Sequence, residues 1–134
     1  VIYLLDRSAV IALLAGHAGF RTRLLRHQPT EFATPQIVVH QWYCAGCKGC
    51  RTAENLARLD GLSFDVPDVT RDDARLAGEA SARLAAEGRP IGPCDVLIAG
   101  QSVRRGLTLV TRSMQKFYRI LGLKLKNWET QDQV

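Results

Sequence analysis

The chain has 134 residues, the size of one domain, here residues 1–134, and a chain this long buries roughly two thirds of its unfolded surface without metals or disulfides. With 46% hydrophobic and 23% charged residues it is ordinary globular material, which excludes a disordered tail, a collagen and a coiled coil. The net charge of +5 is uneven: between Asp95 and Glu129 there is no acid, while Arg104, Arg105, Arg112, Lys116, Arg119, Lys124 and Lys126 fall there, so the C-terminal third attracts polyanions.

In chain order, Ile2 to Leu5 is an apolar run of β-formers ending at Asp6 and reads as a buried parallel strand. Ser8 can cap a helix over Ala9 to Ala15, closed by Gly16. The apolar stretch from Val1 to Gly19 carries Asp6 and Arg7 and breaks at Gly16, too short and interrupted to span a bilayer, and it lacks a basic leader. The expected location is the cytoplasm, where Cys44, Cys47, Cys50 and Cys94 stay reduced.

A second helix covers Phe20 to His27, with Leu24 and Leu25 inward and Arg21, Arg23 and Arg26 outward. Phe32-Ala33 is a brief strand. Thr34-Pro35 starts a helix that sets Ile37, Val38, Gln41, Cys44 and Ala45 on one face, and Trp42-Tyr43 straddles it with one ring inward. Thr52 to Leu59 makes a short helix, Leu62 to Val66 a strand, and Thr70 to Glu87 a long amphipathic helix resting on Ala74, Leu76, Ala77, Ala80 and Leu84. Asp95 opens a helix over Val96 to Arg105, Leu107 to Val110 is a strand, and Leu123 to Leu125 is a last one. Strands alternating with helices predict an α/β fold with a mostly parallel sheet.

Ligands of such sheets bind outside the carboxyl ends of the strands. Asp6 falls at that end of the first strand, Thr111 to Ser113 at that end of Leu107–Val110, and Asp95 at a helix start. Two carboxylates beside a basic surface suit a Mg²⁺-dependent phosphodiesterase, since hard oxygen ligands hold the ion and the ion neutralises the scissile phosphate. The same residues also suit a plainer role, Asp6 and Asp95 each capping a helix. His17, His27 and His40 show no ligand spacing and read as surface or helix-face residues.

The stretches Leu4-Leu5-Asp6-Arg7-Ser8, Gly88-Arg-Pro-Ile-Gly-Pro-Cys-Asp95-Val-Leu-Ile-Ala99, Leu109-Val-Thr-Arg-Ser113 and Gly122-Leu-Lys-Leu-Lys-Asn-Trp128 resemble the PIN-domain ribonuclease toxins of the VapC type, in order and over essentially the whole chain. The resemblance implies a three-layer sandwich with a mostly parallel central sheet flanked by helices. It implies a ribonuclease that cleaves RNA with Mg²⁺ or Mn²⁺ through an activated water, forms a homodimer and is silenced by a cognate antitoxin. Carried over by position, Asp6 and Asp95 match the first and third acidic ligands. Ser8 matches the Asn or Ser two residues after the first Asp, and Thr111 the Thr before the last active-site position.

Two positions depart from the pattern. The family's Glu falls on Gln41 and its last acidic or Asn position on Ser113. Gln keeps a carbonyl oxygen but no charge and Ser only a hydroxyl, so two carboxylates should hold a divalent ion weakly. Arg7 adds a cation beside Asp6, able to pair with it or to meet phosphate together with Arg112. A groove bounded by Arg7, Arg104, Arg105 and Arg112 would suit an acidic or Arg-bearing antitoxin tail, and the apolar faces around Ile11, Leu14, Ile37 and Trp42 a partner helix or second protomer.

Two other readings stand beside an active nuclease. One is a catalytically weakened or inactive module that binds RNA or antitoxin. The other is a thiol metalloprotein on Cys44, Cys47 and Cys50, although on a continuous helix those three spread over about 120°, poor for one tetrahedral ion.

Overall fold

The computed structural model describes residues 1–48, 53–54, 57–58, 61 and 64–129. Its elements are β1 (Tyr3–Leu5), α1 (Arg7–Leu14), α2 (Ala18–Leu25), a 3-10 turn (Pro29–Glu31), β2 (Phe32–Ala33), α3 (Gln36–Lys48), α4 (Arg71–Ala86), α5 (Pro93–Arg104), β3 (Thr108–Val110), α6 (Met114–Phe117) and β4 (Lys124–Lys126). The four strands form one sheet in the order β2-β1-β3-β4, and every pairing is parallel. Leu4, Leu5, Leu109 and Val110 are fully buried, as a sheet covered by helices on both faces requires. This is the α/β layering expected from the sequence. No helix among the described residues is long and apolar enough to cross a membrane.

The expected elements recur with shifted details. Asp6, not Ser8, caps α1, its Oδ1 accepting from the Ala9 N–H at 2.9 Å. In α2 the reading of Leu25 as inward is overturned: Leu25 is 80% exposed, and Arg23 is buried instead. Phe20 and Arg23, three apart, share the packed face, whereas Leu25 lies about 140° round the helix from Phe20. Ala74 is likewise exposed on α4. Of the strand expected over Leu62 to Val66, the described residues retain a single parallel bridge from Asp65 to Ala33, and Leu62 lies outside them. Of the helix expected over Thr52 to Leu59, the described residues 53–54 and 57–58 are helical; its other half and the side chains of Cys47 and Cys50 lie outside the described residues.

Helix α4 opens with a reciprocal cap: Thr70 Oγ1 accepts from the Asp73 N–H at 3.2 Å and Asp73 Oδ2 from the Thr70 N–H at 2.9 Å. Asp73 is fully buried and also takes the Arg105 guanidinium at 2.9 Å, which ties α4 to the end of α5. The two helices approach so closely at Gly100 that a Cβ there would lie 2.8 Å from Ala77 Cβ and 2.9 Å from the Asp73 carbonyl oxygen. At the other edge, Trp128 is 2% exposed and packs among Tyr3, Phe20, His27 and Phe32. His27 is therefore no free surface residue: its ring stacks on Trp128 and its Nδ1 lies 3.4 Å from Glu31.

Candidate active site

Because β1 and β3 are parallel neighbours, their carboxyl ends lie side by side, with Leu5 opposite Val110. The residues that follow, Asp6 and Thr111, meet there. Asp6 Oδ2 accepts from the Thr111 hydroxyl at 2.5 Å, and Asp6 Oδ1 accepts from the Ser8 hydroxyl at 2.7 Å as well as from the Ala9 N–H. Both hydroxyl protons point at Asp6, so the 3.3 Å contact between Ser8 Oγ and Thr111 Oγ1 carries none. The hydroxyls are oriented in turn by main-chain donors: the Arg112 N–H donates to Ser8 Oγ and the Ser113 N–H to Thr111 Oγ1, each at 2.9 Å.

Asp6 is 5% exposed. Burial raises its carboxyl above the usual value of 3.8; the hydrogen bonds from Thr111, Ser8 and Ala9 oppose the rise and the Asp95 charge adds to it. A buried carboxylate with a second carboxylate for a neighbour gains from a cation.

An open cleft of about 480 Å³ lies over this point, lined by Asp6, Arg7, Ser8, Ile11, Gln41, the Gly92 to Asp95 segment, Ser113 and Lys116. It unites Asp6 and Asp95 with Gln41, which α3 delivers, and with Ser113, the residue before α6. Asp95 is the third residue of α5, not its cap; that position is Gly92. The Gln41 Oε1 atom is buried and has no hydrogen-bond partner among the described residues.

The expected basic rim is mostly elsewhere. Arg112 contributes its N–H to Ser8, but its guanidinium pairs with Glu129 at 3.0 Å. Arg104 and Arg105 bind Asp72 and Asp73, because the end of α5 points away from the strand ends that its start overlooks. Of the four arginines expected around the groove only Arg7 lines it. The cation that does so without having been expected is Lys116, whose Nζ lies 3.7 Å from Asp95 Oδ2. Cys44 and Cys94 are free and exposed, and the described residues hold no cluster of three or more His, Cys, Asp or Glu side chains suited to a metal.

The family description of the PIN domain matches residues 3–120. A tRNA(fMet)-specific endonuclease VapC of Shigella flexneri is 41% identical over 76 residues, 55% of this chain and 58% of that protein. Its namesake from Salmonella typhimurium is 36% identical over 83 residues, 60% of this chain and 63% of that protein. The chain thus spans less than two thirds of the length of these two relatives. Ribonuclease VapC2 of Rickettsia felis is 26% identical over 133 residues, 96% of this chain and 99% of that protein. Among solved structures, DNA-bound VapBC from Salmonella typhimurium superposes with a TM-score of 0.88 at 27% identity, covering 96% of this chain and 98% of that one. VapBC2 from Rickettsia felis, bound to a promoter DNA fragment, gives 0.86 at 26% identity over 96% and 99%.

Proposed function

The chain belongs to the PIN-domain family, and on that premise we propose that it is a ribonuclease toxin of the VapC type that cuts RNA with a divalent cation at Asp6 and Asp95. The observation that carries this reading is the convergence of the two carboxylates in one cleft, Asp6 buried and penalised by Asp95. The donor set fits a hard cation. Among the described residues Asp6 Oδ1 receives two hydrogen bonds but Oδ2 only one, which leaves Oδ2 a lone pair for a cation. Asp95 is held only by Lys116 at 3.7 Å among the described residues, and Gln41 Oε1 offers an unclaimed neutral oxygen. Mg²⁺ keeps several waters and needs only one or two carboxylates.

When bound, such an ion neutralises charge on the scissile phosphate and makes water acidic enough to attack it near neutral pH. The protein's own share is positional. Thr111, Ser8 and the Ala9 N–H fix the Asp6 carboxylate in one rotamer, so it needs no reorganisation as charge develops. Arg7 and Ser113, which both line the cleft, would meet phosphate oxygens.

RNA hydrolysis with and without Mn²⁺, in the wild type and in Asp6→Asn and Asp95→Asn, tests the reading. tRNA(fMet), named in the first two relatives, is the first substrate to try. Manganese-dependent cleavage lost in both variants supports it. RNA binding without cleavage in any divalent ion supports instead the inactive module, which Gln41 and Ser113 in place of acids favour.

The partner in this proposal is a cognate antitoxin that occupies the cleft, an arginine of its tail pairing with Asp6 and Asp95, and the assembly also contains a second protomer. Ile11 is 43% exposed on the cleft wall and gains from such cover. Light scattering that gives only the monomer mass at micromolar protein overturns the dimer.

A further inference from the structure

Lys116 belongs to neither the sequence motifs nor the hydrogen-bonded scaffold around Asp6. Helix α6 fixes its backbone on the cleft rim: the Lys116 N–H donates to the Ser113 carbonyl at 3.1 Å, and the next residue, Phe117, is fully buried. The side chain itself is loosely committed, 58% exposed and 3.7 Å from Asp95 Oδ2. The charges lining the cleft are Asp6 and Asp95 against Arg7 and Lys116, so the cleft is formally neutral before any ion or substrate enters.

We infer that Lys116 is a phosphate-binding residue of the cleft that exchanges partners, neutralising Asp95 in the free protein and turning to an RNA phosphate once a divalent cation takes Asp95. The inference rests on the ribonuclease reading above. An ammonium competes with a cation for the same carboxylate oxygen, and a flexible four-carbon stem lets it move to a second anion without moving the helix. The role predicts effects of opposite sign on two ligands. A residue that merely supports the fold, or only pairs with Asp95, does not produce that pattern.

The test measures two equilibria in wild type, Lys116→Gln and Lys116→Arg. Mn²⁺ affinity is read by calorimetry, and the affinity of a short fluorescein-labelled single-stranded RNA by anisotropy over a salt series. Lys116→Gln should bind Mn²⁺ about three- to tenfold tighter, having lost a repelling charge. It should bind RNA about three- to tenfold more weakly, with a log–log salt slope shallower by about 0.7, the loss of one phosphate contact. Lys116→Arg should restore the RNA affinity and the slope. A wild type that cleaves RNA while Lys116→Gln matches its RNA affinity and slope overturns the assignment and leaves the ribonuclease reading standing. A wild type that neither binds nor cleaves RNA overturns both.

Discussion

The Thr111 hydroxyl donates to Asp6 Oδ2 at 2.5 Å across 105 positions of sequence, and this bond joins the two central strands at the point where the cleft begins. It is one of three that hold a carboxylate in a place where burial disfavours its charge. Stability has been given up at this point for a fixed anion.

Asp6→Asn is therefore expected to stabilise the protein while abolishing cleavage. A carboxyl whose folded pKa is raised is favoured in its protonated form. The native state thus loses stability as pH rises from the unfolded value of 3.8 through the folded one, and stays lower above it. Asparagine removes that cost and is itself a good helix cap. Thermal denaturation should give a higher Tm than wild type at pH 7, with the gap closing below pH 3.8; an Asn variant that melts lower at pH 7 contradicts the assignment.

Gln41→Glu should strengthen divalent-ion binding about tenfold, since affinity for hard cations follows ligand charge. Its side chain lines the cleft with Oε1 unclaimed. Equal affinities by calorimetric titration would remove Gln41 from the ligand set. Tighter binding without faster cleavage would favour the inactive module.

Asp73 should behave opposite to Asp6. Burial would raise its carboxyl, but the Thr70 N–H, the Arg105 guanidinium and the Thr70 hydroxyl outweigh it and the pKa is lowered below 3.8. Its contribution is present above pH 3.8 and lost as pH falls through the folded pKa. Asp73→Ala removes a helix cap and a charge-assisted bond to Arg105, together about 2–4 kcal/mol. Urea melts should show that loss at pH 7 and a narrower difference in acid, with cation affinity at the cleft unchanged.

Gly100→Ala should cost about 1–2 kcal/mol. The added methyl meets Ala77 Cβ at 2.8 Å and the Asp73 carbonyl at 2.9 Å, and overpacking of that kind outweighs the gain in helix propensity. A urea midpoint at or above that of wild type would show that α4 and α5 can part without penalty.

What the sequence reveals of this molecule is whatever has a local cause. Asp6 and Asp95 are legible because each follows a local signal, the end of an apolar run or a Pro-Gly loop before a helix. Asp73 and Arg23 are not. Asp73 is buried against Arg105, which arrives from another part of the chain, Arg23 lies on the buried face of its helix, and hydropathy alone places both outside. Lys116 escapes because α6 has only four residues, too few for a periodic pattern, so nothing local tells which way they face. The arginines of the basic third mislead for the converse reason: charge counting sees their number, but Asp72, Asp73 and Glu129 decide where they go.

The strand order has a consequence for how the protein is made. The strand nearest the N-terminus, β1, lies between β2 and β3, so during synthesis half of its pairing and the hydroxyl that steadies Asp6 must wait for residues about a hundred positions later. Contacts so distant in sequence form late and slowly. The cleft cannot close around an anion until the segment carrying Thr111, Ser113 and Lys116 has left the ribosome. If the chain is the nuclease proposed above, its site stays incomplete until residues 111–116 have been made and have joined Asp6.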